Sequence, residues 1–310
     1  MNNPIMLFAC SISTSLLLGG CFGIDNAQKS SSEQDPVDRP KEKYESVLTY
    51  TGDSYDLPGG EKNEKIAIEH KDEVVKATKD YLKKEYHTDV EVHNIVGNSD
   101  GVTVFFESVG PLHFYSVAVV PIDSKKKKIL SSETFTLEGD VERAIRSALY
   151  AYIMEDDFQS LDEQIEEIID STPTITGRTI ESLENAGGNG YMTPYYFVQS
   201  STYDEAIMPV YEEYMKNPTT SQDNLKMLYD KDLFRPKELT YSINFFMKEP
   251  DANPDKKTFD SIIQSIKDNT ELPSGTYMIN LHDHYVIKSK FEGYKQNSLR
   301  LADYEGIIKE

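Results

Sequence analysis

Apolar residues recur at helical spacing over residues 63–86, where Ala67, Val74, Thr78, Tyr81 and Leu82 stand among lysines and acids, so the spacing predicts one helix there. Four strand-like runs follow at 90–96, 102–107, 112–122 and 129–137, separated by the turn sequences GNSDG, SVGP and SKKKK. Strands joined by such short turns are antiparallel neighbours. Asp140 then stands where it would cap a helix whose apolar face is Val141, Ala144, Ile145, Ala148, Leu149 and Tyr152. A second helix over 161–169 buries Leu161, Ile165, Ile168 and Ile169, and leaves Asp162, Glu163, Glu166 and Glu167 as a solvated face.

After STPTITGR, which has the composition of a boundary, the pattern starts again. Helical TIESLENAG leads through the glycine turn GGNG to strand-like YMTPYYFVQ. The run 203–216 is helical, with Pro209 opening or bending it. Residues 239–247 alternate as a strand, Phe259, Ile262, Ile263 and Ile266 mark another helix, and 276–288 form a long strand or a hairpin. No internal repeat is present. Grouped strands with helices before and after them predict an α+β fold of antiparallel sheets with flanking helices. The expected organisation is an α+β unit over 47–173 and a second over 174–310, which can pack as one domain.

The start of the chain follows different rules. Residues 5–18 are mostly apolar over the length of a secretory h-region, short of the roughly 20 residues that span a bilayer. Leu18, Gly19 and Gly20 before Cys21 are similar to a bacterial lipobox, in which small residues admit a peptidase and a thiolate is the group that accepts a diacylglyceryl chain. Residues 1–20 are thus expected to be a lipoprotein signal peptide, cleaved between Gly20 and Cys21. Residues 21–46, rich in Ser, Pro, Gln, Lys and acids, are expected to be a flexible tether. The other cysteine, Cys10, lies within the removed segment, so the mature chain can form no internal disulfide.

Net charge narrows the partners. With 32 Lys and Arg against 53 Asp and Glu, the formal charge is −21, which repels nucleic acid and anionic headgroups from the folded body. The acidity is read as solubility outside a charged membrane. There are 20 tyrosines and no tryptophan, and most of the tyrosines fall at core-facing positions.

Four motifs imitate sites. GNSDG has the form G-x-S-x-G, but a strand rather than a helix follows Ser99, so that serine tips a hairpin. Ser124 and Lys127 match S-x-x-K only because a lysine run follows the serine. DANPDKKTFDSI opens like a calcium loop through Asp251, Asn253 and Asp255, yet places Lys256 where glycine is needed and Ile262 where glutamate is needed, so Asp255 reads as a helix cap. In LHDHY, His282 and His284 would share one face of a continuous strand, a spacing able to clasp zinc or copper. They are weak metal candidates, expected as surface histidines. A third ligand would have to come from elsewhere, and the other histidines, His70, His87, His93 and His113, show no short metal spacing.

Three stretches, YTGDSYDLPGG, VHNIVGNSDGVTVFFES and AGGNGYMTPYYF, together with the lipobox, resemble an uncharacterised family of staphylococcal lipoproteins, a domain-of-unknown-function family. The resemblance spans nearly the whole mature chain. It implies membrane attachment through Cys21 and supplies no activity, catalytic residue or ligand. The expected function is therefore that of a lipid-anchored protein on the extracytoplasmic face of the cell membrane, acting in binding or interaction with a protein or small molecule. No cofactor is implied, and nucleic acid is excluded as a partner. The alternatives are a solute-binding component of an uptake system, with a cleft between two domains, and a metal-dependent extracytoplasmic enzyme using His282 and His284.

Overall fold

The computed structural model describes residues 39–301 and 306–310. Gly20 and Cys21, with the expected leader and most of the expected tether, lie outside the described residues.

β1 (Tyr44–Ser46) leads to α1 (Glu61–Glu69) and α2 (Lys71–Tyr86). The single helix expected over 63–86 is thus two, broken at His70 (φ −122°, ψ 30°). The buried stripe of Ile66, Ala67, Val74, Ala77 and Leu82 crosses the break, so hydrophobic spacing does not register it. β2 (Asp89–Gly97), β3 (Gly101–Val109), β4 (Tyr115–Asp123) and β5 (Lys128–Ile129) form a four-stranded antiparallel sheet. Ser99 tips the β2–β3 hairpin as expected, with Asn98 Oδ1 accepting from the N–H groups of Asp100 (2.9 Å) and Gly101 (2.8 Å). Beyond Ile129 the expected strand to residue 137 gives way to a 3-10 turn at Ser131–Glu133 and a single bridge from Phe135 to Val119. Thr134 Oγ1 donates to the Ser131 carbonyl (2.9 Å), a local bond that competes with the ladder.

α3 (Asp140–Ile153) and α4 (Glu155–Ser171) follow. Gly139, left-handed at φ 80°, holds the cap of α3, and Asp140 is the first helical residue. Its carboxylate accepts from Arg143 and from Asn189 Nδ2 (2.9 Å) instead of from a backbone N–H, which corrects the expected capping role. On α4, Asp162, Glu163, Glu166 and Glu167 form the expected exposed face, and Asp162 also accepts the Tyr196 hydroxyl at 2.7 Å.

The rest of the chain supplies β6 (Ile175–Thr176), α5 (Ile180–Ala186), β7 (Tyr191–Met192), β8 (Tyr196–Ser200), α6 (Met208–Lys216) and α7 (Gln222–Leu228). β9 (Leu239–Met247), α8 (Lys256–Asp268), β10 (Gly275–His282), β11 (Tyr285–Ile287), β12 (Leu299–Leu301) and β13 (Ile307–Lys309) complete it. The second sheet runs β12-β10-β9-β8-β7, with β13 also on β10 and β6 also on β9. It is mixed, because β9 and β10 are parallel, joined by the α8 crossover. Asp255 caps α8 through the Thr258 N–H (2.9 Å), and Pro209 sits in the first turn of α6, where a missing N–H costs nothing. Residues 276–288 are neither one strand nor a hairpin. β10 stops at His282, the chain turns at Asp283, and β11 pairs with β1.

α3 joins the layers, packing on β4 of the first sheet and β8 of the second. One continuous core takes Phe106 and Ala118 from the first sheet, Ile145 and Leu149 from α3, Ile243 and Ile279 from the second, and Ile266 from α8. It runs across residue 173 without interruption, and the described residues fall in one compact unit. Tyr150, Tyr196, Tyr241 and Tyr277 are fully buried in it. Among the described residues no helix is long and apolar enough to cross a membrane.

Candidate functional site

Asp283 makes the corner after β10. Its carboxylate accepts from Arg39 Nε (2.9 Å) and lies 2.9 Å from Lys295 Nζ, while Arg39 Nη2 also donates to Asn297 Oδ1 (2.8 Å). Burial works to raise the Asp283 carboxyl, but Lys295 and Arg39 prevail and hold it below the ordinary carboxylate range. Burial pushes Lys295 down to about 8, with Asp283 opposing and Arg39 and Arg178 assisting. Lys295 also donates to the carbonyls of Gly293 (2.6 Å) and Tyr285. Two cations and one carboxylate therefore clasp the loop between β11 and β12 onto the end of β10.

That loop forms one wall of a cavity of about 870 Å³. Tyr55 to Pro58, after β1, supply another wall, and Asn244 on β9 with Asn280 and His282 on β10 contribute polar groups. Into this cavity projects Arg178, held between β6 and α5 by the bond from its backbone N–H to the Pro194 carbonyl (2.9 Å). Arg178 is only 8% exposed. Its guanidinium carbon lies 4.2 Å from the Phe291 ring centroid, 4.8 Å from Phe246 and 5.9 Å from Phe197. Nε and Nη1 have no hydrogen-bond partner. No carboxylate pairs with the group at salt-bridge distance among the described residues, and burial pushes it down to about 10 although Tyr50 and Glu292 pull the other way. Phe291 itself is left-handed (φ 53°), an uncommon state for a bulky residue.

His282 and His284 are buried, at 2% and 3% exposure, which corrects the expectation of surface histidines. His282 lies 2.9 Å through Nδ1 from Ser298 Oγ and 3.3 Å through Nε2 from Asn244 Oδ1, and packs on Phe246. Burial, then the charges of Lys295, Arg178 and Arg300, hold it well below the ordinary histidine range, so it is neutral. His284, past the corner, contacts the Met247 carbonyl through Nδ1 (3.2 Å). The continuous strand that would have paired them as metal ligands is absent, and both His282 nitrogens have protein partners. Of the three segments GNSDG, GGNG and LHDHY, only the last reaches the cavity, through His282. Sequence reasoning missed Arg178 because it sits inside STPTITGR; a lone arginine in a polar stretch carries no spacing signal.

A family model described as "Protein of unknown function (DUF1672)" matches residues 37–309. The chain belongs to the DUF1672 family. A crystal structure of a DUF1672 family protein from Staphylococcus aureus subsp. aureus Mu50 superposes with a TM-score of 0.70 at 17% identity, covering 86% of this chain and 98% of that one. At that identity the likeness concerns the fold. No curated protein matches the chain. The DUF1672 match agrees with the resemblance carried by YTGDSYDLPGG, VHNIVGNSDGVTVFFES and AGGNGYMTPYYF.

Proposed function

We propose that this DUF1672 protein is an extracytoplasmic binding protein, anchored to the membrane through a lipid on Cys21, that captures a small molecule carrying a carboxylate or phosphate beside an apolar or aromatic body. The observation that carries this reading is Arg178, a buried guanidinium that lines a large cavity with two nitrogens lacking acceptors. A cation held by aromatic rings and no acid is stabilised most by an incoming oxyanion, to which a guanidinium N–H donates a charge-assisted hydrogen bond. Phe197, Phe291 and Tyr55 offer the surface for the ligand's apolar part. Asp56 and Glu292 also line the cavity and would disfavour ligands bearing a second negative charge near them.

The test is thermal unfolding of the full chain with millimolar benzoate, phenylacetate and phenyl phosphate. Stabilisation of the wild type by one of these, absent in Arg178→Met, is expected, since ligand at 100 times Kd adds about 2.7 kcal/mol. Absence of any shift with all three would overturn the pocket assignment. Membrane fractionation of Cys21→Ala tests the anchor separately, with unchanged precursor size and attachment counting against it.

A further inference from the structure

A second cluster lies apart from the Arg178 cavity, on the first sheet. On the β2–β3 ladder Glu107 stands directly opposite Glu91, and His93 lies diagonally across from Glu107, beside a bulge that places His93 and Asn94 opposite Phe105. His93 Nε2 is 3.1 Å from Glu107 Oε2. α5 packs on the same two strands and brings Glu184, so that ligand atoms of His93, Glu107 and Glu184 all lie within 4.8 Å of one another. The other oxygen of Glu107 is held at 2.8 Å by His113 Nε2.

Three features distinguish this cluster from an ordinary surface ion pair. The ion-pair partners of Glu107 are two imidazoles rather than a lysine or arginine. Two carboxylates converge, and both act on the buried Tyr115 hydroxyl, which burial, then Glu107 and Glu184, hold well above the ordinary phenol range. The side chains of His93 and Glu107 are only 15% and 25% exposed, so the negative charge is partly withdrawn from water. Two ligands on a tetrahedral zinc ion sit about 3.4 Å apart, from metal–ligand bonds of about 2.0 to 2.2 Å. The His93–Glu107 pair is already within a few tenths of an ångström of that spacing.

We propose that His93, Glu107 and Glu184 form a binding site for one divalent first-row transition-metal ion, with His113 as the positioning residue that orients Glu107. Binding places the His93 proton on Nδ1, so that the Nε2 lone pair faces the ion, and Glu107 Oε2 turns from hydrogen-bond acceptor to ligand. Carboxylates that ligate a metal are themselves held by hydrogen bonds from outside the site, the place His113 takes on Glu107. The imidazole favours zinc or cobalt over magnesium and calcium, which take oxygen ligands. This site is independent of the proposed oxyanion cavity and stands or falls without it.

The experiment uses the full chain stripped with EDTA and titrated with zinc chloride by calorimetry, with cobalt absorption as a second readout. One saturable zinc per chain is expected, unaffected by millimolar magnesium. His93→Ala and Glu184→Gln should each weaken zinc at least tenfold and abolish the visible cobalt band, while His70→Ala, an exposed histidine elsewhere, changes neither. Glu184→Gln should melt no lower than wild type without metal, because it relieves carboxylate repulsion, and should lose the zinc-dependent rise in Tm. Absence of saturable zinc binding, or affinity that survives both substitutions, overturns the proposal.

Discussion

Arg178→Met separates a guanidinium kept for a ligand from one kept for the fold. Burial pushes Arg178 from its ordinary 12.5 to about 10, which at 1.36 kcal/mol per pH unit corresponds to a cost of about 3 kcal/mol in the folded state. Against this stand the contacts with Phe291 and Phe246, at 4.2 and 4.8 Å, worth together about 2 kcal/mol when desolvated. The net cost is of order 1 kcal/mol, and methionine keeps the apolar contact with the same rings through a polarisable sulfur. Below pH 10 the group is protonated in both folded and unfolded chains, so its cost is constant between pH 5 and 9. The substitution should therefore leave stability unchanged or raise it by about 1 kcal/mol, a rise in Tm of about 2 to 4 °C, with no pH dependence across that range. Urea unfolding followed by circular dichroism, beside a thermal scan without added ligand, measures this. A loss exceeding about 2 kcal/mol would refute the reasoning, because it would make Arg178 a structural keystone and remove the main ground for an oxyanion site.

Asp283→Asn leaves Lys295 and Arg39 buried without their shared carboxylate and should destabilise by about 3 to 5 kcal/mol at pH 7. Because the folded carboxyl is held below its unfolded value, the wild type keeps this stabilisation above the ordinary carboxylate pKa and loses it as pH falls through the depressed one; the gap between wild type and variant in acid unfolding should close there. Gly97→Ala would place a methyl 2.1 Å from the Gly60 carbonyl oxygen, backbone against backbone, and should cost about 1 to 3 kcal/mol in urea unfolding; a neutral result would mean that α1 can lift from the β2–β3 hairpin.

Local chemistry was legible in the sequence, and convergence was not. The Asn98 turn, the Asp255 cap and Pro209 in the first turn of α6 each depend on a few neighbouring residues, and each is where spacing places it. The break at His70 has no glycine or proline to signal it, and the apolar stripe runs through it in phase. The parallel pair β9 and β10 was available as a strand-helix-strand order, yet the short-turn pattern of the first sheet suggested antiparallel pairing throughout. The corner at Asp283 is set by Arg39, 244 residues away, and the burial of His282 follows from the loop that Lys295 secures. His93, Glu107 and Glu184 are likewise joined only when α5 packs across β2 and β3.

The charge of the whole molecule opposes the ligand class proposed for its cavity, and that opposition yields a salt dependence of unusual sign. The described part of the chain packs into a body of about 24 Å radius. Spread over it, the net charge of −18 that residues 39–310 carry (−21 less the four acids and one lysine before residue 39) repels a monoanion at the surface by about 2 kcal/mol at 10 mM salt and about 1 kcal/mol at 150 mM, as the Debye length shrinks from about 30 to about 8 Å. Arg178, 8% exposed and enclosed by rings, is shielded from the same counterions, so its attraction changes little over that range. Benzoate should thus bind about fivefold more tightly at 150 mM than at 10 mM sodium chloride, the reverse of the weakening seen when surface lysines hold an anion. Calorimetric titration at the two salt concentrations decides the matter. Affinity that falls as salt is added would show that the captured anion meets solvent-screened charge or competes with chloride, and would place its contacts at the rim with Lys290 rather than on the buried guanidinium.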